Sequence, residues 1–263
     1  MDTFVDERDD KLLEQDRYTF YVLRRVMKRE CELLLSDHER FILCFTSHPY
    51  PVWIWLPDDA SEEEMENAYQ IAKEHGFLDG KHHFNMKYDL AEYFIKRAEE
   101  EGVKLSITIN MFAYDCPDPI EPKEKCEGSI HCCTMDDLDQ LVTFMDLFHR
   151  EVGIDGKTLE EYREDAKGCI EMGTMYFWKD PEGRSVASCR YHPDGETASL
   201  NMVYTHYDHR RKHYAENLVY QVTMLAMKAG CLPMLYTDAD YVASNACYEK
   251  IGYILRGKLC TLG

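Results

Sequence analysis

The segment from residue 203 to residue 252 contains a strand end, a basic turn, a helix, a second strand and a second helix in direct succession. Arg210, Arg211 and Lys212 form the basic turn. Apolar residues at helical spacing follow it at Ala215, Leu218, Val219, Val222, Leu225 and Ala226,. The first amides of a helix lack internal partners and lie at the positive end of its dipole. A strand, a turn and a helix in this order can therefore hold a pyrophosphate, and we predict an anion site here.

Two short motifs within this segment carry a family resemblance. Residues 210–215 read Arg-Arg-Lys-His-Tyr-Ala, and residues 244–253 read Ser-Asn-Ala-Cys-Tyr-Glu-Lys-Ile-Gly-Tyr. They resemble the Gln/Arg-x-x-Gly-x-Gly/Ala turn and the Ser-Asn-x-x-Tyr-x-x-x-Gly-Tyr helix of the GNAT superfamily of acyl-CoA-dependent N-acyltransferases. His213 stands where the family usually has glycine. Because both motifs occur in the family's order and at its separation, they are more specific together than either is alone.

The order of predicted elements extends the resemblance over residues 128–263. Strands and helices are expected there in the order β-α-α-β-β-β-α-β-α-β, which resembles the GNAT core. Three prolines within residues 114–123 predict an extended linker,. We therefore predict an N-terminal α/β lobe at residues 1–115, a linker at 116–127 and a GNAT N-acetyltransferase domain at 128–263. The implied fold class is α/β with an α+β mixed sheet, a GNAT-like acyl-CoA N-acyltransferase fold with a second, smaller N-terminal lobe.

The N-terminal lobe is less informative than the rest of the chain. Its patterns predict a long charged helix at 9–35, strands at 41–46, 52–55 and 103–112, and helices at 61–75 and 90–101,. It resembles the degenerate N-terminal half of two-lobed GNAT members, because it mixes strands and helices but lacks the Arg-x-x-Gly-x-Ala turn. A role in shaping the acceptor site is our hypothesis for this lobe.

The resemblance implies acetyl-CoA as co-substrate and a set of residues that bind it. In the family the fourth strand opens at a bulge, which frees backbone N–H groups for the acyl carbonyl and the pantetheine arm; the matching residues are 201–204. The implied binding residues are Met202, Val203 and Tyr204 of the strand, Arg210, Arg211, Lys212, His213, Tyr214 and Ala215 of the turn, and Asn245 and Tyr248 of the last helix. Glycine lets a backbone approach phosphate closely and tolerates positive φ. His213 therefore indicates either an additional phosphate donor or a weakened site.

Acyl transfer from a thioester needs an unprotonated amine, donors for the oxyanion and a proton for the departing thiolate. Asn245 and Tyr248 are three residues apart and share a helix face, which the resemblance places beside the thiol end of CoA. We predict Tyr248 as the general acid. The general base stays open among Glu196, His206, Asp208 and a water relay through backbone carbonyls.

The charge of the chain bears on its partners. A net charge of -19 over 263 residues argues against nucleic acid, since phosphate backbones are bound through an excess of Lys and Arg,. The acidic surroundings favour a cationic amine as acceptor. The basic turn is a local exception, which suits a small anionic ligand held at one place.

The sequence also gives expectations about the cellular location of the protein and about metal binding. No apolar run approaches the length of a membrane span, and the first residues lack the pattern of a signal peptide, so we expect a cytoplasmic protein and no membrane partner. The eleven cysteines are odd in number and contain no Cys-x-x-Cys pair, which favours reduced thiols,. The run His131-Cys132-Cys133 suits tetrahedral zinc poorly, so we predict no metal site.

These observations lead to one principal hypothesis and two alternatives. The principal one is an acetyl-CoA-dependent N-acetyltransferase that transfers an acetyl group to a primary amine of a small-molecule or peptide acceptor, by direct attack in a ternary complex. The first alternative is a non-catalytic module that binds or senses acyl-CoA, and His213 in place of glycine motivates it. The second is a structural protein that retains the fold without the ligand.

Overall fold

A computed structural model describes residues 1–153 and 156–263, which form two compact units. The described residues contain eight α-helices: α1 Glu7–Leu12, α2 Tyr21–Val26, α3 Glu62–Glu74, α4 Tyr88–Glu100, α5 Leu138–Val152, α6 Leu159–Glu171, α7 Tyr214–Lys228 and α8 Val242–Ile251. They also contain eleven strands: β1 Leu33–Ser36, β2 Ile42–Phe45, β3 Val52–Trp55, β4 Phe84–Met86, β5 Ile107–Asp115, β6 Ser129–Cys132, β7 Met175–Lys179, β8 Ser185–Asp194, β9 Thr197–Thr205, β10 Leu232–Asp238 and β11 Ile254–Leu262.

The two units are discontinuous in sequence. The first comprises Met1–Tyr114, Tyr236–Tyr241 and Leu255–Gly263, and the second comprises Asp115–Leu235 and Val242–Ile254. The structure thus differs from the contiguous ranges 1–115 and 128–263, because the last strand packs with the first unit. In that strand Cys260 pairs with Met86 of β4, and Gly263 exchanges two backbone hydrogen bonds with Ser106.

The sheet of the first unit has the order β1-β2-β3-β4-β11-β5, in which β3 and β4 are parallel. Every residue of β2, β3 and β4 is buried. The helices α3 and α4 contribute Tyr69 and Phe94 to the core that covers these strands. Ser61 begins α3 with a capping box, in which its hydroxyl accepts from the Glu64 amide and its own amide donates to the Glu64 carboxylate,.

The long helix predicted at residues 9–35 is wrong. Two short helices, α1 and α2, are followed there by β1. Leu13 and Phe20 are fully buried, and Asp16, in the turn between the helices, accepts a hydrogen bond from the indole of Trp55 at 2.7 Å. The leucines of β1, which continued the helical pattern in the sequence, pair with β2 instead. Contacts with distant strands therefore override the local helical periodicity.

A buried group of charged side chains holds the N-terminal residues against β1. Asp9 is fully buried, and its Oδ2 lies 2.8 Å from Nδ1 of His38 while its Oδ1 accepts from the Ser36 hydroxyl. The second ring nitrogen of His38 lies 3.1 Å from the carboxylate of Asp2. Within residues 1–153 and 156–263, one group of side chains is close enough together to bind a metal ion: Asp6, Asp9 and His38. Each of them already makes hydrogen bonds within the protein.

The second unit is built on the strand order β10-β9-β8-β7-β6. The helices α5 and α6 pack against Phe177 of β7 and Tyr204 of β9. Helix α7 packs through Ala226 against Ala198 and Tyr191, and Tyr191 stacks on Tyr176 of β7. Because neighbouring side chains of a strand point to opposite faces, α5 and α6 lie on one face of the sheet and α7 on the other.

The element order of the second unit and the final strand is β-α-α-β-β-β-α-β-α-β, as predicted. The predicted fold class, a mixed α/β chain, is confirmed. Within the helices that the structure describes, none combines the length and hydropathy needed for a membrane span. In the run His131-Cys132-Cys133, the imidazole of His131 bonds to Asp137 at 2.8 Å and Cys133 is buried.

Candidate functional site

A bulge interrupts the pairing of β8 with β9. Ser188 lies opposite Tyr204 and Arg190 lies opposite Asn201, so two residues of β9 face one residue of β8. Met202 lies in the bulge, where its φ is 53° and its carbonyl accepts from the Ser188 hydroxyl at 2.9 Å. A bulge of this kind takes backbone groups out of the strand ladder. It falls in the stretch for which the sequence predicted an opening.

Strand β9 is also partly unpaired on its other side. The pairing of β9 with the parallel strand β10 covers residues 197–199 and 232–234 within the described chain. Val203 and Thr205 lie beyond this short ladder, and both line a cleft. The backbone between the bulge and the end of β9 is therefore available to a bound molecule on that side.

The turn after β9 leads directly into α7. A 3-10 turn at Tyr207–His209 comes first, and α7 then begins at Tyr214. The first hydrogen bond within α7 runs from the Asn217 amide to the His213 carbonyl at 3.1 Å. The side-chain amide of Asn217 also donates to that carbonyl and to the carbonyl of Glu124, which anchors the helix start. The amides that precede Asn217 in α7 have no partner within the helix, as an anion site requires.

His213 adopts the backbone conformation that glycine would take. Its φ is 61° and its ψ is 13°, in the left-handed region. A residue with a β-carbon pays about 1–2 kcal/mol there. Its ring nitrogen Nδ1 lies 3.3 Å from the carboxylate of Glu216, in the first turn of α7. The turn therefore has the glycine-like backbone despite the substitution, and the difference from glycine lies in the imidazole beside the helix start.

If CoA, the ligand that the sequence resemblance implies, binds here, replacing His213 by Gly is expected to tighten its binding about threefold or more, because the imidazole no longer occupies the space beside the first amides of α7. We expect the free energy of unfolding to change by less than about 1 kcal/mol, since relief of strain is offset by the greater freedom of glycine in the unfolded chain. Calorimetric titration and urea denaturation measure the two quantities. His213→Ala is the matched control, because it removes the ring but keeps the left-handed β-carbon. Weaker binding by His213→Gly would identify the imidazole as a phosphate donor.

A cleft of about 490 Å³ lies between the turn and α8. Of the binding residues predicted from the sequence, seven line it: Val203, Arg210, Arg211, His213, Tyr214, Ala215 and Tyr248. Eight others line it as well: Thr205, His209, Glu216, Ala243, Ser244, Ala246, Cys247 and Lys250. All fifteen belong to the second unit. The cleft therefore brings together the end of β9, the start of α7 and one face of α8.

Four predicted binding residues do not line this cleft: Met202, Tyr204, Lys212 and Asn245. The ring of Tyr204 packs edge-on against Phe144 of α5, with ring centroids 5.6 Å apart, and Met202 packs against the same core. Lys212 is exposed at the turn, and Asn245 is buried within α8. Because successive side chains of a strand alternate in direction, Tyr204 faces α5 while Val203 and Thr205 face the cleft.

The residues missed on α8 follow a helical spacing. Ala243, Cys247 and Lys250 stand at positions i, i+4 and i+7, so they share the face that lines the cleft,. That spacing was readable in the sequence, but small residues and a lysine gave no chemical signal there. Thr205 could not be recognised from its spacing, because the feature that distinguishes it is the burial of its hydroxyl group in the folded chain. Its hydroxyl oxygen is buried and has no hydrogen-bond partner among residues 1–153 and 156–263.

The basic residues of the turn differ in the contacts that their side chains make with the protein. Arg210 forms an ion pair with Glu151 of α5, and its Nε donates to the Thr205 carbonyl at 3.1 Å. Within the part of the chain that the structure describes, Arg211 makes no such ion pair, and it lines the cleft. Arg211 is therefore better placed than Arg210 to bind an anion, although Arg210 holds the first place of the motif.

Tyr248 is 7% exposed and lines the cleft. Burial raises the pKa of this phenol well above its usual range, so it holds its proton at every ordinary assay pH,. Burial also raises the pKa of the neighbouring Cys247 thiol to about 12, so Cys247 is a protonated wall residue rather than a nucleophile,. A neutral phenol in a cleft can donate a proton to a developing anion.

None of the three candidate bases lines the cleft. Glu196 precedes the first residue of β9, about 20 Å along the strand from Met202 at about 3.3 Å per residue. The Nδ1 of His206 is buried and finds no hydrogen-bond partner among the residues that the structure describes; the carboxylate of Asp208 lies 3.8 Å from it, beyond hydrogen-bond distance. The ring of His206 packs against Tyr207, with ring centroids 4.2 Å apart. The general base therefore stays unassigned.

Comparisons with known proteins bear on both the fold and the motif region. The chain matches the family model of the acetyltransferase (GNAT) family over residues 141–253. A GCN5-related N-acetyltransferase from Sphaerobacter thermophilus has a similar structure, with a TM-score of 0.67 and 11% identity over 97% of this chain and 90% of that one. A GNAT-family acetyltransferase from Colwellia psychrerythraea has a TM-score of 0.60 and 12% identity over 99% and 97% of the two chains.

A third similar structure is a GCN5-related N-acetyltransferase from Kribbella flavida, with a TM-score of 0.60 and 13% identity over 95% of each chain. No curated protein matches the chain in sequence. At these identities the structural similarity shows the fold, and it covers both units. The family match covers β9, the turn, α7 and α8, which are the elements that form the cleft. Residues 141–253 therefore form a domain of the acetyltransferase (GNAT) family.

Proposed function

We propose that the protein is an acetyl-CoA-dependent N-acetyltransferase that transfers an acetyl group to a primary amine of a small-molecule or peptide acceptor. The observation that carries the proposal is the cleft, which is lined by Val203 at the bulge of β9, by the start of α7 and by Tyr248 of α8. The three features match the three anionic or polar parts of the co-substrate, which are the acyl carbonyl, the diphosphate and the departing thiolate.

The residues of the cleft fit acetyl-CoA, which supplies an activated thioester when bound. The first amides of α7 and the guanidinium of Arg211 would hold the diphosphate. The unpaired backbone near Val203 would bind the acyl carbonyl and the pantetheine arm. The buried hydroxyl of Thr205 lacks a hydrogen-bond partner within the described part of the chain, which is costly unless a ligand provides one,. It lies between the bulge and the turn, where the amide-bearing pantetheine arm would pass.

In the proposed reaction a neutral amine attacks the thioester carbonyl directly, in a complex that holds both substrates. A C–N bond forms and the C–S bond breaks, the amine nitrogen loses a proton to water, and the sulfur receives a proton from Tyr248, which regains one from solvent. Backbone N–H groups at the bulge would stabilise the developing oxyanion. The large excess of acidic residues favours a cationic amine in its approach to the protein,. We also propose a cytoplasmic location, on the sequence grounds given above.

A non-catalytic acyl-CoA binding or sensing module is the second candidate, and two observations favour it. Arg210, the first residue of the motif, is engaged by Glu151, and the imidazole of His213 stands beside the helix start. Both features would weaken binding of the diphosphate. A protein of this kind would bind CoA without turnover, and a structural protein that retained only the fold would not bind it at all.

The test is calorimetric titration with acetyl-CoA and CoA, followed by an amine-dependent assay of thiol release. We expect binding by the wild type, a loss of about tenfold in affinity for Arg211→Met, and a smaller loss for Arg210→Met, whose guanidinium is already held by Glu151,. Lys212→Met is the matched control, because Lys212 is adjacent but does not line the cleft. Binding without thiol release for any amine would support the sensing module. Absence of binding would support the structural protein.

A further inference from the structure

Besides Arg210 and Arg211 of the basic turn, a cation of α8 lines the cleft. Lys250 belongs to the last turn of α8 and shares the cleft-lining face with Ala243, Ala246 and Cys247. The small side chains of these three residues leave the wall open along the helix. Lys250 stands at the end of this open wall, on a different element from Arg211.

Lys250 has no ion-pair partner in the part of the chain that the structure describes. This is notable in a protein with 49 acidic and 30 basic residues, where an exposed cation readily meets a carboxylate. The acidic residue that lines the same cleft, Glu216, is 12% exposed at its side chain and is engaged by His213 at 3.3 Å. Lys250 and Arg211 together therefore make this cleft electropositive against the overall charge of the chain.

Arg211 and Lys250 lie on different elements of the cleft, and the anionic groups of coenzyme A are likewise divided between two parts of the molecule. The molecule carries anionic charge in two places, a diphosphate bridge and a monophosphate on the 3′-hydroxyl of the ribose. Under the proposed function, on which this inference rests, the turn and the start of α7 hold the diphosphate. Lys250 on α8 is then available to bind the 3′-phosphate, and the adenosine would lie along the open wall.

We infer that Lys250 binds the 3′-phosphate of coenzyme A and makes the cleft select CoA over its 3′-dephospho form. A cation in the last turn of a helix also stabilises that helix through its dipole. The decisive readout is therefore the ratio of affinities for the two ligands, since helix stability changes both affinities together and leaves the ratio unaltered.

The experiment is calorimetric titration of the full chain with CoA and with 3′-dephospho-CoA. We expect the wild type to bind CoA about tenfold more tightly, as one charge-assisted contact allows. Lys250→Met should bring this ratio close to one by weakening CoA binding alone. Lys250→Arg should keep most of the preference, and Lys212→Met, which removes a charge outside the cleft, should keep all of it.

The remaining outcomes separate this inference from the proposed function. Equal weakening of both ligands by Lys250→Met would place Lys250 at the diphosphate and overturn the inference. A wild type that binds both ligands equally well would overturn it too, while leaving the proposed function intact. A wild type that binds neither ligand would remove both.

Discussion

Replacing Tyr248 by Phe is expected to lower the turnover of acetyl transfer about a hundredfold, the lower range for loss of a general acid. The affinity for CoA should change by less than about threefold, because the ring and its packing are retained. The reason is that the buried phenol keeps its proton and lines the cleft beside the expected path of the thiol. Steady-state kinetics with a reactive amine, together with titration of CoA, measure the two effects separately.

Tyr253→Phe is the matched control for this variant. Its hydroxyl is also buried, but it lies 2.8 Å from the Thr223 hydroxyl, away from the cleft lining. Loss of that hydrogen bond should lower the free energy of unfolding by about 1 kcal/mol and leave turnover unchanged. If turnover fell equally in both variants, or stayed at the wild-type value in Tyr248→Phe, the proton donor would have to be sought elsewhere.

The pH dependence gives a further check on the same role. An exposed tyrosine loses its proton near pH 10. Because burial raises the pKa of Tyr248 above that range, the acid form persists as the pH rises. We therefore expect no loss of turnover from this group up to about pH 10. A decline that begins near pH 9 and disappears in Tyr248→Phe would mean that the phenol is less enclosed than the structure has it.

His38→Ala is expected to lower the free energy of unfolding of the first unit by about 1–3 kcal/mol, the usual cost of leaving a buried polar group without its hydrogen-bond partner. The carboxyl group of Asp9 is fully buried, and it would lose the imidazole that lies 2.8 Å from its Oδ2. The tie to Asp2 would be lost at the same time. Urea denaturation, followed by the fluorescence of the buried tryptophans Trp53 and Trp55, measures the change.

An exposed pair provides the comparison. Lys28 forms an ion pair with Asp10 at 2.8 Å, and Lys28→Ala should cost less than about 1 kcal/mol, because solvent screens that pair,. The double variant Asp9→Ala/His38→Ala should recover part of the loss, since it leaves no buried charge unpaired. Equal effects of His38→Ala and Lys28→Ala would show that burial does not strengthen the Asp9–His38 pair.

The sequence was most informative where long periodic segments adjoin a motif. Helix α7 follows from the apolar spacing after residue 215, and α8 follows from the motif around Tyr248. Strand β7, Met175–Lys179, ends just before Pro181 and Gly183, which mark a turn in the sequence,. Local signals of this kind survive in the folded chain when tertiary contacts reinforce them.

The remaining features depend on residues that are distant in sequence. The ion pair of Arg210 with Glu151 joins α5 to the turn across 59 positions, and no local pattern encodes it. Strand β4 has three residues, too few for a periodicity to be detected,. The burial of the Thr205 hydroxyl and the inward face of Tyr204 likewise follow from packing. Sequence reasoning therefore found the motif residues of the cleft and missed most of the residues that complete its walls.

The membership of Leu255–Gly263 in the first unit has a consequence for biosynthesis. About 140 residues separate Tyr114 from Leu255, yet β4 obtains its neighbour β11 only from the later segment. At roughly 5–20 residues per second, the ribosome needs on the order of ten seconds to supply that strand. During this interval the buried strand β4 has an open edge, which is the kind of surface that chaperones recognise and on which aggregates form,. Synthesis of the first unit thus starts before that of the second. The sheet of the first unit can be completed only after the second unit has been translated.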